Sequence, residues 1–140
     1  MIFGPALLLG ALAGACTGHP PESTDGPTLG KPFEVRAGET AVIASEGLRI
    51  VFQRVKNDSR CAKGLNCVWE GDAEAVLEVE TDPKDRAEIG LHTHSNFATS
   101  ASFGKYRIQL QQLRPLAKRE KAVDPKEYVV TLLVSLDNDK

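Results

Sequence analysis

Residues 73–80, Ala-Glu-Ala-Val-Leu-Glu-Val-Glu, carry the clearest strand pattern in this sequence. Apolar side chains occupy every second position, and glutamates fill three of the four positions between them. Successive side chains of an extended strand point to opposite faces, so a period of two separates an apolar face from a polar one. The stretch therefore predicts a β-strand that is buried on one face and exposed on the other.

The same alternation recurs along the chain on both sides of this stretch, and turn signals such as Glu46-Gly47 and Asp82-Pro83 separate the segments. We predict strands at residues 33–36, 40–44, 48–53, 73–80, 89–91, 105–111 and 128–136. About seven short strands without a convincing helix favour an all-β fold, an antiparallel sandwich of immunoglobulin-like type, with a small barrel as the alternative. The last strand is apolar on both faces, which predicts a central place in its sheet.

The N-terminal fifteen residues contain no charged side chain, and the small residues Ala13-Gly14-Ala15 stand directly before Cys16. The run is shorter than the about 20 apolar residues that span a bilayer, and a short apolar stretch ending in small residues is typical of a signal peptide. It resembles the lipobox of bacterial lipoprotein signal peptides, although no Lys or Arg precedes it. The resemblance implies that Cys16 is lipidated and that the chain is cleaved before it. Ordinary secretion and a plain buried segment are the alternatives.

Three segments follow from these patterns: a signal peptide at residues 1–15, a flexible tether at residues 16–31 and a β-sandwich domain at residues 32–140. The tether is rich in Pro and Gly and has Leu29 as its one large apolar residue, so it cannot bury enough surface to order itself. Thr17 rather than Asp follows Cys16. By resemblance to enterobacterial sorting signals, this favours a lipid anchor in the outer membrane, facing the periplasm.

The cysteines predict a disulfide in the folded domain. The chain has three, and lipidation of Cys16 would leave Cys61 and Cys67. Two nearby cysteines in an exported protein usually pair because the compartment is oxidising. The five residues between them exceed the spacing of a zinc knuckle, and no second cysteine pair exists. We therefore expect a Cys61–Cys67 disulfide that closes a short loop.

The stretch around this pair, residues 57–73, is the most distinctive in the chain. It contains Asp58-Ser59-Arg60-Cys61 and then Cys67-Val68-Trp69-Glu70-Gly71-Asp72-Ala73. It is similar to a motif of small, mostly uncharacterised bacterial lipoproteins, D-S-R-C-P followed five residues after the cysteine by C-x-W-x-G-x-A. Ala62 stands where that family has Pro. The resemblance supports the fold and the location, and it implies no activity.

Four residues of the motif have expected roles. Asp58 can accept hydrogen bonds from local backbone N–H groups, and Arg60 can pair with an acid. Trp69 follows a disulfide cysteine at an expected strand start, so we predict that it packs on the disulfide and anchors the core. Gly71 indicates a bulge or a close backbone approach. A stapled crossover between strands is the favoured interpretation of the loop, and a rigid recognition loop is the alternative.

His92 and His94 are the best candidates for chemistry, because residues two apart on a strand share a face and both carry metal-ligating imidazoles. A metal site would need a further ligand, for which Glu88 on the same face as His92 is the candidate. We expect instead two exposed histidines at a strand end that form no tight site.

The remaining sequence favours binding over catalysis. Net charge is −2, with no basic excess to neutralise phosphates, so nucleic-acid binding is not expected. The sequence holds no serine-nucleophile motif, no redox C-x-x-C and no glycine-rich phosphate loop. We therefore predict a non-enzymatic binding or structural module without a cofactor.

The expected partners of this module are the membrane, through the N-terminal lipid, and an envelope protein. The alternatives are a periplasmic metal-binding protein that uses His92 and His94, or an inhibitor or enzyme whose site the sequence does not reveal.

Overall fold

The fold is an antiparallel β-sandwich, seen in a computed structural model that describes residues 26–118 and 121–138. The predicted signal peptide, Cys16 and most of the predicted tether lie outside the described residues. The strands are β1 Phe33–Arg36, β2 Thr40–Ile43, β3 Leu48–Lys56, β4 Glu74–Asp82, β5 Asp85–His92, β6 Ser100–Phe103, β7 Tyr106–Arg114 and β8 Val129–Leu136. Two 3-10 turns, Ala44–Glu46 and Pro125–Glu127, are the helical elements of this part of the chain.

Two four-stranded sheets form the layers. The first has the order β1-β8-β7-β6 and the second β2-β3-β4-β5, with every neighbouring pair antiparallel. Strands β2 to β5 and strands β6 to β8 form two meanders, and β1 joins the first sheet beside β8. This order differs from the Greek-key connections of immunoglobulin domains. The all-β sandwich is confirmed, and β8 is central, as its two apolar faces predicted. The additional strand, β6, comes from a stretch of small residues that carries little alternation.

The core lies between the sheets and follows the predicted alternation. Fully buried side chains from both layers meet there, among them Phe52 and Leu77 from the second sheet and Ile108 and Leu132 from the first. Each such side chain contributes roughly 1.5–3 kcal/mol when it leaves water. No helix in the described residues is long and apolar enough to cross a membrane.

The two ends of the sandwich differ. At what we call the tether end, the described chain begins, and Gly30, in the predicted tether, donates its N–H to the Val134 carbonyl (2.8 Å). Leu29 packs against the core, so the folded unit begins before residue 32. The opposite end, here called the loop end, carries three long connections, at residues 57–73, 93–99 and 115–128, of which residues 119 and 120 are not described.

Candidate functional site

The connection between β3 and β4, residues 57–73, is a folded loop that we call the disulfide loop. Its two arms pair in antiparallel fashion: Ser59 N–H donates to the Asp72 carbonyl (2.8 Å) and Cys61 N–H to the Glu70 carbonyl (2.9 Å). Gly71 has a φ of 75°, and a Cβ there would clash with the Ser59 carbonyl. The arms thus approach so closely that only glycine fits, as the sequence predicted for Gly71.

The tip of this loop is closed by the predicted Cys61–Cys67 disulfide, whose Cα atoms lie 5.9 Å apart. That separation falls in the usual range for disulfides. Lys63 N–H donates to the Ala117 carbonyl (2.9 Å), which ties the tip to the connection between β7 and β8. The loop therefore crosses the loop end and touches elements of both sheets.

Arg60 and Asp58 form the buried anchor of the first arm. The Arg60 guanidinium donates to both Asp58 carboxylate oxygens (2.8 Å each) and to the carbonyls of Leu113 (2.6 Å) and Pro115 (2.8 Å). Tyr128 donates its hydroxyl to Asp58 (2.7 Å). The side chains of Arg60 and Asp58 are only 8% and 14% exposed. Arg60 thus pairs with an acid, as expected, and the pair fastens the disulfide loop to β7 and β8.

Burial and charge shift the proton equilibria of this anchor. Burial, together with the hydrogen bond to the Asp58 carboxylate, raises the pKa of Tyr128 to about 12. Burial also pushes the pKa of Asp58 upward, but hydrogen bonds from Arg60 and Tyr128 outweigh this effect and leave that pKa below its usual value. The carboxylate is therefore held ionised and the phenol protonated around neutral pH.

Trp69 does not occupy the predicted place. The strand begins at Glu74 rather than at Val68, and Trp69 stacks on the His94 ring with centroids 4.3 Å apart rather than anchoring the core. Its side chain is 52% exposed, and Val68 is fully exposed. The positive φ of Gly71 turns the chain before β4 starts, so the preceding residues leave the sheet and lie on the loop end.

His94 is buried, contrary to the expectation of an exposed histidine, because two aromatic rings cover it. It lies 7% exposed between Trp69 and Phe97, whose ring centroid is 5.9 Å away in an edge-on arrangement. Its Nδ1 accepts the Asn96 N–H (3.1 Å), so the ring hydrogen resides on Nε2 and is donated to Glu70 (2.9 Å). Both ring nitrogens of His94 have a hydrogen-bond partner, so the ring is held in place and provides a fixed surface on which Trp69 stacks.

His92 pairs with Asp72, a residue that the sequence analysis did not single out. His92 Nδ1 lies 2.6 Å from the Asp72 carboxylate, which also accepts the His94 N–H (3.0 Å) and the Thr93 hydroxyl (3.3 Å). Burial pushes the pKa of Asp72 upward, but the hydrogen bonds from His92 and His94 outweigh it and lower that pKa. Asp72 thus joins the second arm of the disulfide loop to the end of β5. In the sequence, only the position of Asp72 inside the motif indicated that this residue has a structural role.

The two histidines and Glu88 are not brought together. Glu88 lies opposite Glu78 in the middle of β5 and is 3.7 Å from Arg54, whereas His92 lies opposite Glu74 at the strand end. His92 and His94 are each engaged by a separate carboxylate of the disulfide loop. Among residues 26–118 and 121–138, no group of three or more His, Cys, Asp or Glu side chains is arranged to hold a metal ion.

What the loop end does present is apolar surface. Five of the seven exposed large apolar side chains in the described chain lie on its connections: Leu65, Val68, Trp69, Phe97 and Leu116. We call Val68, Trp69 and Phe97 the aromatic surface. Grouped exposed apolar side chains of this kind commonly mark an interaction site, whereas isolated ones need no explanation.

Two cavities lie at the tether end of the sandwich. One, of about 720 Å³, runs along the start of the described chain and the edges of β1 and β2, with Phe33 and Val42 in its wall. The other, of about 310 Å³, is lined by Glu46, Lys105 and Tyr106, and the Tyr106 hydroxyl donates to Glu46 (2.6 Å). The aromatic surface is thus a projecting feature and not the wall of one of these cavities.

Comparisons of the chain with protein-family models, with curated proteins and with solved structures found no match.

Proposed function

We propose that this protein is an envelope-anchored lipoprotein that acts as a non-enzymatic binding module and binds through the aromatic surface. The observation that carries this proposal is the half-exposed Trp69 stacked on the buried His94. A large aromatic ring left open to solvent on a rigid base is the type of residue that dominates binding energy at interfaces.

The rigidity of the loop supports a role in recognition. The Cys61–Cys67 disulfide, the Arg60–Asp58 pair and the Asp72–His92 pair restrain the disulfide loop at three separate points. A surface that is held in one conformation before binding loses less conformational entropy when a partner arrives. The same loop therefore serves as a stapled crossover and as a presented surface, the two interpretations that the sequence left open.

The placement of the surface fits the expected anchor. The described chain enters the domain at the tether end, whereas Trp69 lies at the loop end. A lipid on Cys16 would therefore attach the protein at one end and leave the aromatic surface at the other. Replacement Cys16→Ser tests the anchor, since the variant should leave the membrane fraction of cells, and unchanged fractionation would contradict lipidation.

Neither of the alternative functions is favoured by the histidine geometry. To ligate a metal through the ring atoms now in use, His92 and His94 would have to exchange the Asp72 and Glu70 carboxylates for the ion. The Asp72–His92 pair resembles the orienting half of a catalytic dyad. However, the same carboxylate accepts from Thr93 and from the His94 backbone, which explains Asp72 as a structural tie.

Photo-crosslinking in the native envelope tests the binding proposal. A crosslinking side chain at Val68, which is fully exposed, should capture a specific component of the envelope. The matched control is the same side chain at Leu136, which is also exposed but lies at the tether end. Capture from Val68 should disappear in Trp69→Ala. Equal capture from both positions, or none from Val68, would contradict the proposal.

A further inference from the structure

The shape of the loop end restricts what it can bind. Val68 projects fully into solvent, Trp69 and Phe97 are half exposed, and the connections that carry them stand beyond the strand ends. A projecting apolar tip buries its surface only in a partner that is concave or that deforms around it. A lipid bilayer is such a deformable partner, and Trp is enriched where a protein meets the headgroup region.

A group of lysines lies beside this tip. Lys63 N–H bonds the Ala117 carbonyl, and Lys121 N–H bonds the Lys118 carbonyl (3.0 Å), which brings Lys63, Lys118 and Lys121 to one side of the loop end. We call these three the lysine cluster. All are exposed, and none forms an ion pair within the described chain.

The acids of the disulfide loop are differently placed from these lysines. Asp58 is buried against Arg60, and Asp72 and Glu70 are hydrogen-bonded to His92 and His94. The carboxylates of the disulfide loop are therefore engaged within the protein, whereas no carboxylate of the described residues pairs with an ammonium group of the lysine cluster.

We propose that the loop end inserts into the surface of an anionic lipid bilayer, with the aromatic surface at the headgroup boundary and the lysine cluster on lipid phosphates. This inference rests on the proposed function, because it takes the aromatic surface as the binding surface and names what it binds. Exposed apolar side chains supply burial, and each lysine near an anionic membrane adds an electrostatic contribution.

The expected anchor is compatible with this contact. Gly26 follows Cys16 by ten positions, and a chain of that length reaches at most roughly 35 Å. The nine-residue strands of the sandwich are roughly 30 Å long. The loop end can therefore reach the bilayer that holds the lipid.

Trp69 is the single tryptophan of the chain, so its fluorescence reports directly on the loop end. The full chain is reconstituted with vesicles of phosphatidylglycerol and phosphatidylethanolamine, with or without bromine on the acyl chains. We expect a blue-shifted emission and strong quenching by the brominated lipid. The matched control carries Trp69→Phe with Gln109→Trp, which places the fluorophore on an exposed position in the middle of β7. That variant should remain unquenched.

The lysine cluster is tested in the same assay in the Cys16→Ser background, so that the acyl anchor does not dominate the measured affinity for vesicles. Vesicle affinity should fall roughly fivefold for each of Lys63→Gln and Lys118→Gln, and it should weaken with added salt. Vesicles of phosphatidylcholine alone should bind less tightly.

Three results would overturn the inference: unquenched Trp69 in anionic vesicles, equal quenching of the Gln109→Trp control, or equal affinity for phosphatidylcholine. If Trp69 stays unquenched while the crosslinker at Val68 captures an envelope protein, the bilayer inference fails and the proposed function stands. If neither signal is seen, both fail.

Discussion

The two arms of the disulfide loop share one sequence motif and have opposite environments. Arg60, on the first arm, has an almost completely buried side chain. Its guanidinium joins Asp58 to the carbonyls of Leu113 and Pro115, at the end of β7. Trp69, on the second arm, is half exposed although it is the largest apolar residue in the loop. The charged residue thus holds the structure together and the aromatic residue faces solvent, the reverse of ordinary burial preferences. The first arm therefore stabilises the fold, and the second arm is the one that we propose binds a partner.

The largest effect is expected from the first arm. Arg60→Ala leaves the Asp58 carboxylate buried without its ion partner and two carbonyls without a donor, so stability should fall by about 3–5 kcal/mol. Urea unfolding followed by circular dichroism measures the loss. Arg54→Ala is the control, because its pair with Glu88 is exposed and should contribute less than about 1 kcal/mol. Equal losses in the two variants would contradict the assigned role of Arg60.

Removal of the disulfide should have the next largest effect. The double variant Cys61→Ser with Cys67→Ser releases a loop of sequence separation 6, for which chain entropy predicts a loss of about 2 kcal/mol. The same urea experiment measures it, and reduction of the unmodified protein should reproduce the value. Capture from a crosslinker at Val68 should also weaken, since the tip loses its closure. If stability falls but capture from Val68 is unchanged, the disulfide stabilises the fold but is not needed to hold the aromatic surface in its binding conformation.

The anchor of the first arm also predicts how stability depends on pH. The folded-state pKa of Tyr128, about 12, lies above its ordinary value of about 10, so its contribution is complete below pH 10 and is lost as pH rises toward 12. The pKa values of Asp58 and Asp72 are lowered, so their contributions are complete above about pH 4 and are lost on further acidification. Chemical unfolding across pH should be compared with Tyr128→Phe, which should reduce the loss of stability at alkaline pH. Because the Tyr128 hydroxyl also lowers the pKa of Asp58, the variant should reduce the acid-dependent loss as well. An unchanged alkaline limb would rule out Tyr128 as its source.

The smallest change in stability is expected at the second arm. Burial of Trp69 in the core would make Trp69→Ala cost about 3–5 kcal/mol. The half-exposed ring stacked on His94 should contribute only about 1 kcal/mol. The variant should nevertheless lose capture or vesicle binding, so it separates binding from folding. Phe97→Ala provides a matched comparison on the other side of His94. If Trp69→Ala strongly destabilises the fold and leaves binding intact, Trp69 is a core residue and not a binding residue.

Much of the fold was predictable because it depends on local periodicity. The alternation at residues 73–80 places Ala75, Leu77 and Val79 in the core, as expected. The other face is not exposed as predicted, because Val76 is buried and the glutamates of β4 are partly buried. Spacing and export predicted the Cys61–Cys67 pair, and glycine at position 71 predicted the close backbone approach. Each of these follows from a few neighbouring residues. The predicted lipidation of Cys16 depends on a local pattern as well and remains a prediction.

The candidate site could not be derived in the same way, because its contacts join residues that are distant in sequence. Trp69 meets His94 only when the connection after β5 folds back over the disulfide loop. Asp72 reaches His92 across twenty positions, and Tyr128 reaches Asp58 across seventy. The sequence by itself determined which residues alternate, which cysteines pair and where glycine is required. Tertiary structure alone decided which aromatic ring is exposed and which histidine is buried, since burial is set by the elements that pack around a side chain and not by its neighbours along the chain.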